Sequence, residues 1–244
     1  MKYCVNNFLA VSTAALVTIA GPGVAGSGNN AFVIQETPLG AAEGNSLRID
    51  QSAASDSTVA GVARTPIDPD DATNTITLSP TPEDSEFLDH SGTLINFDPD
   101  EAAMQSGNGN SASIVTLSNS TVGLFQSGNN NSGAINAGAG QVLLYQYGNG
   151  NEGTLSTQNS AALASLLQDG DGNTGAVTVS GAGTEGLLAQ IGNNNSTSLE
   201  VDTSGASVSF TVNGSNTSAS LPASVVSTAG GGNITIIQRP LIGQ

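Results

Sequence analysis

Gln126-Ser-Gly-Asn-Asn-Asn131 decides the fold, because four other stretches of the chain line up with it without a gap. Gln105-Ser-Gly-Asn-Gly-Asn110 precedes it. Gln146-Tyr-Gly-Asn-Gly-Asn151, Gln168-Asp-Gly-Asp-Gly-Asn173 and Gln190-Ile-Gly-Asn-Asn-Asn195 follow. The glutamines are 21, 20, 22 and 22 residues apart. Nine residues after each comes an aliphatic residue: Ile114, Ile135, Leu155, Val177 and Leu199. Two residues before each come Ala103, Leu124, Leu144, Leu166 and Leu188. A sixth, decayed copy runs through Phe210 to Leu221, with Asn213-Gly-Ser-Asn216 in place of the turn.

Each unit reads as an apolar run ending in Gln, a tight Gly/Asn turn, and an alternating run such as Gly133-Ala134-Ile135-Asn136. Gly and Asn tolerate the positive φ that a tight turn demands. Alternation after the turn marks a strand with one buried face. A second glycine-containing turn, as at Gly138 to Gly140 or Gly181 to Gly183, closes the unit. Such a unit is too short for a propeller blade and suits one two-stranded coil of a β-solenoid. One coil cannot bury its apolar face alone, so neighbours stack, about 4.8 Å apart. The expected fold is therefore all-β: a solenoid of strand-turn-strand coils of about 21 residues. A meander of hairpins is the structural alternative, but it gives no reason for a Gln at one fixed position.

Stacking sets like residues above one another. Gln105, Gln126, Gln146, Gln168 and Gln190 should form one ladder, and Asn110, Asn131, Asn151, Asn173 and Asn195 a second. A stacked amide donates to one neighbour and accepts from the other, so a polar side chain can point inward and stay satisfied. These ten amides are the candidate self-assembly residues.

Around the repeats the chain changes character. Residues 1–25 read as a signal peptide: Lys2, an apolar run from Phe8 to Ala20 too short to span a bilayer, and small residues before a cut after Ala25. Its removal takes away Cys4, the single cysteine, and leaves no membrane span, disulfide or thiolate metal site in the mature chain. Residues 26–53 hold partial repeats. Residues 54–100 read as an acidic, Pro-rich linker or irregular insertion ahead of the solenoid at 101–221. Residues 222–244 form a tail with a terminal strand from Asn233 to Gln238. Fourteen of the twenty acidic residues lie between Glu36 and Glu101, and runs such as Asp68-Pro69-Asp70-Asp71 cannot pair as central strands. Thr75 to Leu78 and Thr93 to Phe97 are short apolar runs within it that suit strands.

The formal net charge is −16, and Arg48, Arg64 and Arg239 are the cations left beyond Lys2. Phosphate backbones and anionic membranes require clustered cations, so nucleic acid is not expected as a partner.

These repeats resemble the curlin repeat of curli functional amyloids, written as Ser, Gln, Gly, Gly-Asn, Ala and Gln at fixed intervals. Its central Gln-x-Gly-x-Gly-Asn stands unchanged at Gln105, Gln146 and Gln168, and Asn replaces the second Gly after Gln126 and Gln190. The back half is echoed by Gly28-Asn29-Asn30-Ala31 with Gln35, by Gly44-Asn45 with Gln51, and loosely by Gly232-Asn233 with Gln238. The second Gln is missing from the five main copies, where its column reads Thr116, Ala137, Thr157, Val179 and Val201. The leading Ser is mostly absent, and the acidic segment lies outside the family pattern. The resemblance implies a secreted bacterial subunit that polymerises with itself into matrix fibres for adhesion and biofilm. It also implies export through a dedicated outer-membrane pore with accessory factors.

Catalysis is not expected, and no residue is singled out as catalytic, cofactor-binding or metal-ligating. Asp169-Gly-Asp171-Gly-Asn173 imitates the start of a calcium loop, but it occupies the repeat's turn column and no Glu follows at the twelfth position. His90 stands alone in the acidic segment, and no Ser lies in a nucleophile-elbow pattern. The competing functional classes are a monomeric surface adhesin or carbohydrate-binding solenoid, and a solenoid enzyme acting on polysaccharide.

Overall fold

The computed structural model describes residues 16–19, 28–38, 41, 43–66, 86–88, 93–117, 119–159, 161–221 and 233–238. In chain order the strands begin β1 (Leu16–Ile19), β2 (Asn30–Ala31), β3 (Val33–Glu36), β4 (Ser46–Asp50) and β5 (Thr58–Pro66). There follow β6 (Glu86–Leu88), β7 (Thr93–Asp98), β8 (Ala103–Asn108), β9 (Ser111–Thr116) and β10 (Ser120–Asn129). Next come β11 (Ser132–Ala137), β12 (Gly140–Tyr147), β13 (Glu152–Thr157), β14 (Leu163–Asp169) and β15 (Thr174–Val179). The last five are β16 (Glu185–Ile191), β17 (Ser196–Val201), β18 (Ser207–Asn213), β19 (Ser218–Leu221) and β20 (Asn233–Gln238). No helix among the described residues is long and apolar enough to cross a membrane.

The strands alternate between two parallel sheets. Sheet A runs β1-β4-β9-β11-β13-β15-β17-β19. Sheet B runs β20-β18-β16-β14-β12-β10 and ends in split rungs, with β5 and β8 both on β10, and β2 and β3 beyond them. Every pairing within the stack is parallel, with Gln126 opposite Gln146 and Ile135 opposite Leu155. The fold is thus a β-solenoid, and the hairpin meander is excluded because its pairs would be antiparallel.

Both expected aliphatic columns lie inside. Ile49, Ile114, Ile135, Leu155, Val177 and Leu199 line sheet A, and Leu124, Leu144, Leu166, Leu188 and Phe210 face them from sheet B, all buried. Alternation follows from the pleat: in β9, β11 and β13 the inward residues are buried and their neighbours exposed or half-buried. The lost second glutamine is replaced by the buried residues Thr116, Ala137, Thr157, Val179 and Val201, so this strand's end of the core is largely aliphatic. Within the partial repeats, β3 and β4 are rungs of the same stack, and the terminal strand is its last described rung, pairing with β18.

The acidic segment is rooted within a single rung. Thr58, Val59 and Ala60 pair with Thr121, Val122 and Gly123, and Met104 and Gln105 pair with Phe125 and Gln126. Ala60 and Ala103 therefore occupy successive positions of one rung, and the Gly61 N–H donates to the Glu101 carbonyl at 2.8 Å across the base. The residues from Ala54 to Ala60, placed by sequence in the acidic segment, belong to the solenoid. Beyond Gly61 the chain is not wholly irregular: β5, β7 and β6 form an antiparallel sheet. The strand expected at Thr93 to Phe97 is β7, while Thr75 to Leu78 and His90 lie outside the described residues.

This insertion builds a second core on the outer face of sheet B. Val62 and Ile95 cluster with Phe125, Leu143, Tyr145, Leu167 and Leu187, all buried. The Phe125 and Tyr145 rings stack at 4.9 Å, with planes 8° apart. Gly123 leaves a notch there, since a Cβ would stand 2.7 Å from Leu143 Cδ1 and 3.0 Å from Phe97 Cδ2.

Candidate functional site

The turn geometry explains the repeat's glycines. Gly107, Gly128, Gly148 and Gly192 have φ of 112–113° and Gly170 has 128°. A Cβ on any of them would stand within about 2.2 Å of the next rung's glycine carbonyl oxygen. Only glycine allows that stacking. The second turn position has φ near 60°, at Gly109, Gly150 and Gly172 as at Asn130, Asn194 and Asn216. Asn accepts this left-handed geometry, which is why it replaces the second Gly after Gln126 and Gln190.

The five expected glutamines form one buried ladder. Gln105 Nε2 donates to Gln126 Oε1 at 2.6 Å, Gln126 to Gln146 at 2.6 Å, Gln146 to Gln168 at 2.8 Å and Gln168 to Gln190 at 2.8 Å. Each Nε2 also donates across the core to a sheet-A carbonyl: Ser46, Ser111, Ser132, Glu152 and Thr174 in turn. Both amide protons are used, and each oxygen accepts from the rung before. The ladder ties rung to rung and sheet to sheet.

The five asparagines form the second ladder, which runs the opposite way. Asn131 Nδ2 donates back to Asn110 Oδ1 at 3.1 Å, Asn151 to Asn131 at 3.1 Å, Asn173 to Asn151 at 3.2 Å and Asn195 to Asn173 at 3.1 Å. Each Nδ2 also reaches the next rung's glycine carbonyl, as Asn131 does to Gly148 at 2.8 Å. The Asn173 amide is thus held in the ladder. Asp171 Oδ1 accepts from Asn149 N and Nδ2 at 2.7 and 3.0 Å, in the same role as the Asn149 and Asn193 oxygens in that exposed turn column. Among the described residues no group of three or more His, Cys, Asp or Glu is placed to hold a metal.

Sequence reasoning missed three ladder positions. Gln35, read from its Gly-Asn-x-Ala prefix as a second glutamine, stacks instead on Gln105 and donates to its Oε1. Gln238, read the same way, pairs with Val212 and so occupies the first-glutamine column of the last rung. Asn45 begins the asparagine ladder, accepting from the Asn110 backbone N–H at 3.0 Å. Gln35 to Asn45 spans ten residues where Gln126 to Asn131 spans five, so the longer turn hid the repeat. Gln51 does hold the second-glutamine position of its rung, donating to the Asn30 and Ser57 carbonyls.

The ladders end differently. The asparagine ladder closes on Thr217, whose N–H donates to Asn195 Oδ1 at 3.0 Å. The glutamine ladder is interrupted at Val212, and Gln190 turns to Thr197 Oγ1 at 2.5 Å. At its start Gln35, 2% exposed, has an Oε1 with no hydrogen-bond partner.

Fold and site together define a two-sheet parallel β-solenoid with two opposed amide ladders and strand edges at its ends. No family model matches the chain, and neither a curated protein nor a solved structure matches it.

Proposed function

We propose that this chain is a secreted, non-enzymatic structural subunit that assembles with itself, end to end, into curli-like fibres. The observation that carries the reading is the glutamine ladder running from Gln35 to Gln190 within a parallel stack whose last rung, β20, pairs on one side and leaves Ile237 56% exposed. An unpaired strand edge is a template for another chain. Stacked amides with parallel in-register strands are the bonding pattern of cross-β assemblies. The repeat's resemblance to curlin points the same way, and with it to a bacterial cell surface, an outer-membrane secretion pore, and adhesion and biofilm as the use.

The test is assembly of the purified chain. Growth of β-sheet signal and dye-binding fibres with reflections at about 4.8 and 10 Å is the expected outcome. A chain that stays monomeric for days at high concentration overturns it in favour of the adhesin or carbohydrate-binding reading. That second reading has its own support. The outer face of sheet A presents Ser132, Thr174 and Ser196 in one column, broken by Glu152, and Thr154 and Ser198 in a second, broken by Ala134 and Ala176, all exposed or half-buried. Its test is binding of the monomer to immobilised polysaccharide.

A further inference from the structure

The glutamine ladder has a direction, and it leaves one acceptor open. Every described link runs from the Nε2 of one rung to the Oε1 of the rung after it, toward the C-terminal end. Gln35 begins the series, so its Oε1 faces the side where no earlier glutamine stands, buried and unpartnered. A buried acceptor left unmade is costly, and a donor arriving there removes the penalty. The matching donor is at the far end. Gln238 stands in the same column on the last rung, and nothing beyond it in the described chain continues the ladder. Among the described residues β2 and β3 pair on one side only, as does β20.

We infer that the sheet-B edge formed by β2 and β3 is the docking surface for β20 of a second copy, with Gln238 of one copy donating to Gln35 of the next. The inference rests on the self-assembly reading and adds the joint and its polarity. Register supports it. With Gln238 placed over Gln35, Ile234 lies over Ala31, Thr235 over Phe32, Ile236 over Val33 and Ile237 over Ile34. The inward positions Ile234 and Ile236 are half-buried at the open end and packed against the main core, so a further rung there completes their burial. The reverse joint, N-terminal end on N-terminal end, sets Gln35 Oε1 against its own copy, acceptor against acceptor. It also makes the strands antiparallel, which breaks the stack.

The experiment uses the mature chain from Gly26 onward, carrying Ile34→Cys and Ile237→Cys, assembled and then oxidised. Paired strands hold Cα atoms at about 4.8 Å, within disulfide reach. Within one copy the two positions are seven rungs apart, about 34 Å, and cannot meet. Assembled fibres should give a covalent ladder of dimers, trimers and longer species on non-reducing gels, while each single-cysteine chain gives none. In seeded growth, Gln238→Leu, which removes the donor to Gln35, should slow elongation roughly tenfold. Fibres with no covalent ladder, or with elongation indifferent to Gln238→Leu, overturn this joint and leave the fibre reading standing. Absence of fibres from the unaltered chain overturns both.

Discussion

Two positions in each turn carry different loads, although both are written as glycine in the repeat. At Gly148 the φ is 112° and a Cβ would meet the Gly170 carbonyl oxygen at 2.2 Å. That atom is backbone, so it cannot step aside. Gly148→Ala should cost about 3–5 kcal/mol, while Asn130→Gly, at φ 58°, should stay within about 1 kcal/mol. Denaturant midpoints of the two variants check the contrast. Gln146 is the middle of its ladder. Gln146→Leu keeps the volume but leaves Gln168 Oε1 buried without its donor, so a loss of about 1–3 kcal/mol is expected in the same measurement. Glu185 is the buried carboxyl of the described solenoid, 8% exposed, with Ser207 Oγ donating to it at 2.9 Å. Burial raises its pKa above the ordinary 4.5, and the Ser207 bond only partly offsets this. The folded chain therefore holds this proton more tightly than the unfolded one. Its favourable contribution is fully present below the ordinary value and is lost as pH rises through the raised one. Wild-type stability relative to Glu185→Gln should fall across that window, and equal slopes of stability against pH would contradict the assignment.

At the scale of elements, the acidic insertion is an attachment to a rung that is complete without it. Its two ends meet at the Gly61–Glu101 hydrogen bond, and Ala60 and Ala103 already stand in register. A chain with Ala60 joined directly to Ala103 should keep its β-sheet spectrum and unfold cooperatively. It should lose about 2–4 kcal/mol, because Val62 and Ile95 no longer bury apolar area on Phe125, Leu143 and Tyr145. The uncovered rings should also bind an apolar dye, which the intact chain should not. A chain that is unfolded after excision would show that the insertion, and not the ladder, holds the first rungs. Sequence placed the edges of this insertion at 54 and 100, since Pro and Asp mark where strands cannot run. The true root is set by pairing with β10, which composition does not reveal.

For the molecule as a whole, charge and edges oppose one another. The net charge of −16 repels one copy from another, and ten of the acidic residues lie between Gly61 and Ala102. Excision of the insertion should therefore speed fibre growth at low salt. The advantage should shrink at high salt, where exposed charges are screened within about 3 Å at 1 M. Equal growth rates with and without the insertion would remove electrostatics as the brake. The solenoid, its rung length, the two aliphatic columns and the ten central amides were legible in the sequence, because stacking demands the same residue type at the same interval and each copy repeats that demand. Which column Gln35 and Gln238 join, where the insertion enters, and the opposed directions of the two ladders were decided by tertiary structure alone. Pairing between rungs is non-local, and a stretch with no neighbouring turn motif carries no local mark of the rung on which it lands.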